Sequence, residues 1–152
     1  MLADPDDPET RQPYHAGLDT HESRAVKAVT RLVKLVERFA QRSVARLLAD
    51  YRVEGYRVRG VGIVVGSVID PARIANDHIR AHAEEGRLFR RVVEQALRKR
   101  RMPVRVFVEK ELWVTGARLK QRVKALGESV EGPWRAEEKA AALAAWVVLG
   151  LP

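Results

Sequence analysis

The stretch Tyr56–Ile69, YRVRGVGIVVGSVI, decides the fold class. Within it Val61, Ile63, Val64 and Val65 make a short β-branched apolar run, with apolar side chains on both phases of the two-residue strand repeat. A strand of this kind is buried on both faces, as in a parallel sheet. Asp70-Pro71 follows with a cap and a residue suited to the first helical turn, and Asn76 gives a second start signal. A helix is expected from there to about Arg100. Past Pro103 the run VRVFVEKELW, within Met102–Trp113, reads as a second strand. Two strands joined through a helix of that length imply a crossover unit, so the expected class is α/β with a small parallel sheet and crossover helices.

Outward from this unit, Val26, Val29, Val33, Val36, Ala40, Val44 and Leu47 recur at intervals of three and four. They predict a long N-terminal helix over about 21–51, either continuous or interrupted near Ser43. Any part of it left exposed can pair with a second copy, so a homodimer through this helix is one expectation. Two further helices are expected near Gly116–Leu126 and Trp134–Leu149, separated by the turn-forming Gly127–Pro133. At 152 residues the chain has the size of one domain. The expected organisation is an acidic, disordered tail over 1–20 and a single α/β domain over 21–152.

Charge is distributed unevenly. Residues 1–24 hold six carboxylates against Arg11 and Arg24, a balance of −4, which leaves +12 on the remaining chain out of a total of +8. A body this basic attracts polyanions, and nucleic acid is the expected partner; arginine used simply as a solubilising residue is the plainer alternative. The absence of cysteine excludes disulfides and thiolate metal sites and fits a reducing compartment. No segment approaches the roughly 18 apolar residues of a membrane span. Met1 is followed by acidic residues where a leader would carry positive charge, so a cytoplasmic location without membrane attachment is expected.

The segment Asn76–Gly86, NDHIRAHAEEG, concentrates chemistry. At 100° per residue His78, His82 and Glu85 lie within about 40° of the stripe set by Phe89, Val92, Val93 and Ala96, so this polar trio continues the expected buried face. Three readings are open: ligation of a divalent metal, a hydrogen-bonded cluster that anchors a neighbouring loop, and contact with a small substrate or phosphate. Arg80, Glu84 and Arg87 form a neighbouring stripe suited to ion pairs or to a phosphate at the helix start. Gly86 inside the helix costs about 1 kcal/mol relative to alanine, which suggests close approach of another backbone.

The segment from Phe39 to about Leu119, with RFAQRSVARLLADY, GIVVGSVIDP and MPVRVFVEKEL, resembles the second half of RuvC-like and YqgF-like members of the ribonuclease H-like superfamily. The C-terminal RAEEKAAALAAW is similar to their last helix. The resemblance implies a ribonuclease H-like α/β fold in which Asp70, Glu109 and Glu138, with Glu137 the alternative to the last, hold Mg²⁺ or Mn²⁺ and hydrolyse phosphodiesters. The superfamily opens on a three-stranded meander bearing an aspartate, and residues 1–38 contain no comparable motif; Asp19 in GLDTHE is the nearest imitation.

Candidate nucleic-acid contacts are Arg80, Arg87, Arg90, Arg91, Arg98, Lys99, Arg100 and Arg101, the last four forming a run at the expected helix end. There, basic residues also stabilise the helix dipole with no ligand present. Trp113, Trp134 and Trp146 can stack on bases if exposed, although Trp146 in ALAAWVVLGL is expected in the core. Three functional classes follow: a metal-dependent nuclease, a non-catalytic nucleic-acid-binding or self-associating accessory protein, and a small-ligand or metal-dependent site built on His78, His82 and Glu85.

Overall fold

The computed structural model describes residues 2–18 and 22–150, and the chain divides into two compact units, 1–57 with 69–100 and 58–68 with 101–152. The first is built on two helices, α1 (Glu22–Val53) and α2 (Asp77–Arg98). Helix α1 runs unbroken through Ser43, so the 21–51 periodicity produces one element of 32 residues, about 48 Å long. Leu32, Val36, Ala40 and Val44, each four residues from the last, are all buried. Such a row forms an inclined ridge that packs into the groove of a second helix.

Helix α2 supplies that partner. Its Leu88 and Val92 close a core with Val36 and Ala40 of α1, and Leu2, Tyr14, Val33 and Phe89 pack around it. Val92 and Ala96 are buried as expected, while Phe89 and Val93 are only half-buried. The stripe runs through Ala81, Glu85, Leu88, Val92 and Ala96, the buried residues of the helix at three- and four-residue spacing. Asn76 caps α2 by accepting a hydrogen bond from the Ile79 N–H at 3.0 Å. Asp70-Pro71, the other candidate start, opens only a short 3-10 turn, Pro71–Arg73.

Residues 2–18, expected from the sequence as an acidic tail, lie against this helix pair. They form two 3-10 turns, Pro8–Arg11 and His15–Gly17, and bury Ala3, Thr10 and Pro13. The Thr10 hydroxyl donates to the Asp7 carbonyl at 2.6 Å and accepts from the Asp4 N–H at 2.8 Å, which knots the segment on itself. Two features of the composition favour this placement. The acids are used, since Asp7 and Glu9 reach Arg31 of α1 at 3.1 and 3.6 Å. The three prolines that suggest disorder also reduce the conformational entropy lost on ordering.

The second unit holds the sheet. Strands β1 (Val61–Val65) and β2 (Val104–Val108) pair in parallel, with register from Val61 opposite Val104 to Val65 opposite Val108. Helices α3 (Glu109–Thr115), α4 (Lys120–Glu128) and α5 (Ala136–Leu149) follow. Their core comprises Phe107, Leu112, Leu119, Val123, Leu143 and Ala144, against which Trp113, Trp134 and Trp146 lie half-buried. The β-rich run therefore ends five residues short of Trp113: EKELW coils into α3 and buries Leu112. The α/β class and small parallel sheet of the sequence reading are thus present. No strand precedes β1 among the described residues, so the opening meander of the ribonuclease H-like superfamily has no counterpart there. Nor is any helix among them long and apolar enough to cross a membrane.

Helix α5 packs on β1 through a backbone without a side chain. A Cβ built on Gly62 meets the Ala144 Cβ at 2.8 Å and the Ala144 carbonyl carbon and oxygen at 3.2 Å. Because backbone atoms cannot swing aside, Gly62→Ala is expected to lower unfolding free energy by about 1–3 kcal/mol, the usual range for overpacking. Denaturant unfolding followed by tryptophan fluorescence checks this, since all three tryptophans lie in this unit.

Candidate metal centre

His78 and His82 stand one turn apart near the start of α2, and His15, from the second 3-10 turn, lies beside them. Ring centroids are 4.6 Å apart for His15 and His78, 4.2 Å for His15 and His82, and 4.8 Å for His78 and His82. One nitrogen from each ring falls within 4.8 Å of the other two. Among the described residues this is the one group of three or more histidine or carboxylate side chains so placed.

Glu85 organises the cluster from below. It is only 5% exposed, and one of its oxygens accepts from the His15 Nδ1–H at 2.8 Å and the His15 backbone N–H at 3.3 Å. The other oxygen lies 3.5 Å from His82 Nδ1. An ionised carboxylate only accepts, so in the neutral tautomer that donates to it the His15 proton sits on Nδ1 and the lone pair on Nε2. That Nε2 is buried and has no hydrogen-bond partner. Leaving a buried polar atom unmatched costs about 1–3 kcal/mol, and a cation accepting the lone pair removes the deficit.

Three imidazoles suit zinc, copper, nickel or cobalt and are a poor match for Mg²⁺, which takes oxygen ligands. A tetrahedral zinc site with Zn–N near 2.0–2.1 Å requires ligand nitrogens about 3.3–3.4 Å apart. Closure of the cluster to that spacing calls for small side-chain rotations of His78 and His82, which their exposure permits. Buried Glu85, by contrast, is fixed. A carboxylate that receives the second N–H of a ligating histidine sets its tautomer and raises its basicity.

The remaining sequence candidates have local roles. Asp70 accepts from the Ala72 N–H at 3.2 Å and caps its own turn. The Glu138 carboxylate accepts from the Arg135 N–H at 2.8 Å and caps α5, while Glu109 opens α3 with its side chain half-exposed. Several basic residues are engaged within the first unit. Arg80 pairs with Asp77 and donates to the Ile74 carbonyl at 3.0 Å. Arg90 and Arg98 each lie 3.5 Å from Glu94, and Arg91 is 3.8 Å from Glu37. Arg100 donates to the side chain and carbonyl of Gln41 at 3.1 and 2.9 Å and to the Ala96 carbonyl at 2.8 Å, tying the end of α2 to α1. Arg87, Lys99 and Arg101 are exposed. Arg87 and Arg91 also act on Tyr14, whose phenol is raised above its ordinary range by burial and then by the Glu84 charge, against the pull of both arginines.

His15 is the residue that sequence reasoning missed. It lies 63 positions before His78 in a segment read as tail, and no spacing rule links the two. The only available signal was scarcity: the chain has four histidines, and three of them meet here. Gly86, expected to admit a neighbouring backbone, has nothing within 4 Å of a built Cβ. Comparison with protein-family models, curated proteins and solved structures returned no match to this chain.

The hydrogen bonds at Glu85 make a stability prediction independent of any metal. Glu85→Ala strands two donors of His15 and is expected to cost about 1–3 kcal/mol. His78→Ala, at an exposed position, is expected to stay within about 0.5 kcal/mol. Thermal unfolding of both variants in EDTA checks the contrast.

Proposed function

We propose that this protein binds a divalent first-row transition metal, with zinc the best chemical match, through His15, His78 and His82, and that Glu85 orients the ligands. The observation that carries the reading is His15, whose Nε2 is buried and unpartnered and whose ring lies close to two further imidazoles. Its sister nitrogen is tied to a buried carboxylate, the arrangement that metal-ligating histidines use. The small-ligand or metal site on His78, His82 and Glu85 thus gains a third imidazole, and Glu85 becomes a supporting group.

Titration of the full chain with Co²⁺ is expected to give visible absorption bands that saturate at one equivalent and are displaced by Zn²⁺. Each of His15→Ala, His78→Ala and His82→Ala is expected to abolish the bands. Glu85→Gln is expected to weaken binding about 10- to 100-fold while the bands persist. Saturation behaviour unchanged in all three histidine variants contradicts the proposal.

A second reading, a nucleic-acid-associated domain related to the ribonuclease H-like superfamily, is favoured by the basic body and by one backbone feature. Arg101 has φ of 56°, a left-handed conformation that costs a non-glycine residue roughly 1–2 kcal/mol. Retaining an exposed arginine where glycine is unstrained is understandable if its charge is used. In the catalytic form of this reading Asp70, Glu109 and Glu138 hold Mg²⁺ or Mn²⁺. In the accessory form the chain binds without cleaving, alone or as a homodimer through α1. Incubation with labelled DNA and RNA in Mn²⁺ separates the two: cleavage lost in Glu109→Gln supports the nuclease. Binding that weakens with salt and in Lys99→Glu/Arg101→Glu, with no cleavage, supports the accessory protein.

A further inference from the structure

We infer that the metal centre is a latch holding the N-terminal segment, residues 2–18, on the α1–α2 pair, so that metal availability regulates whether that segment is docked. The inference rests on the reading of His15, His78 and His82 as ligands. Two of these come from one helix, but His15 comes from the segment, so a bound ion joins parts of the chain more than sixty residues apart.

The ties that hold the segment without metal are of unequal strength. Arg31 reaches Asp7 and Glu9 with its side chain 56% exposed, and exposed ion pairs contribute little. The Thr10 hydrogen bonds lie within the segment and shape it without fastening it to the helices. Apolar cover comes from Leu2 and Tyr14, half-buried against Val36, Ala40, Leu88 and Val92, from buried Ala3 and Pro13, and from Gly17, which lies close to Val29 of α1. His15 joins the segment to α2 through its two hydrogen bonds to Glu85. A metal ion adds a bond from the same imidazole to two more side chains of that helix.

Linkage fixes the direction. A ligand that binds the docked form and not the undocked form stabilises docking, more strongly as its free concentration exceeds the dissociation constant. Undocking uncovers the apolar surface beneath Leu2 and Tyr14, around Val36, Ala40, Leu88 and Val92. Local opening of this kind is read by amide exchange.

The test is hydrogen–deuterium exchange of the full chain in EDTA and in saturating Zn²⁺, with zinc binding measured in parallel by calorimetry. Zinc is expected to slow exchange across residues 2–18 by about tenfold or more and to leave amides of α5 unchanged. His78→Ala keeps the His15–Glu85 pair, so it is expected to retain the exchange seen in EDTA and lose the zinc effect. Tryptic cleavage after exposed Arg11 is expected to follow the same pattern. Zinc binding with unchanged exchange over 2–18 overturns the latch and leaves the metal centre standing. Absence of zinc binding overturns both.

Discussion

One buried carboxylate underlies the first unit. Glu85 sits on the face of α2 that turns toward the core, where an ionised group is tolerated only if its oxygens are matched. The matching donors come from His15, which requires residues 2–18 to fold back onto the helices. Packing of Leu2 and Tyr14 on Val36, Ala40, Leu88 and Val92 accompanies that return. The same bond leaves the His15 Nε2 without a hydrogen-bond partner in a ring that lies beside His78 and His82. Segment docking, burial of Glu85 and convergence of the three imidazoles are therefore aspects of one arrangement.

The architecture was legible where periodicity carries the information. The Val61–Val65 run, its parallel partner after Pro103 and the long helix beginning near residue 21 follow from local pattern, and β1 and β2 pair as a crossover unit requires. Phase placed His78, His82 and Glu85 together on α2 and expected them on its buried face, but only Glu85 is buried and both histidines are exposed. Local pattern failed where side chains from distant segments decide the outcome. In VRVFVEKELW the apolar residues Val108, Leu112 and Trp113 suit a strand or a helix equally, and the core beneath Leu112 selects the helix. The N-terminal segment is polar and proline-rich, and its contacts are with Glu85, Val36, Ala40, Leu88 and Val92, which no window around residues 2–18 contains.

The charge pattern is also more specific than a net value implies. Much of the arginine expected to face a polyanion instead pairs with Glu37, Asp77 and Glu94 or bonds the Gln41 and Ala96 carbonyls. Arginine supplies several donors in a fixed plane, and Arg100 uses them to staple α2 to α1. Asp70 and Glu138, read as members of a carboxylate metal site, each cap a helical turn, a role for which acidic side chains near helix starts are well suited.

The central claim concerns the atoms around the metal, so the most direct measurement is X-ray absorption at the zinc edge on the full chain loaded with one equivalent of Zn²⁺. The account predicts a first shell containing three imidazole nitrogens at about 2.0–2.1 Å, with the outer scattering typical of histidine rings, and loss of that shell in His15→Ala. A shell made only of oxygen atoms, or a spectrum indifferent to His15→Ala, contradicts it.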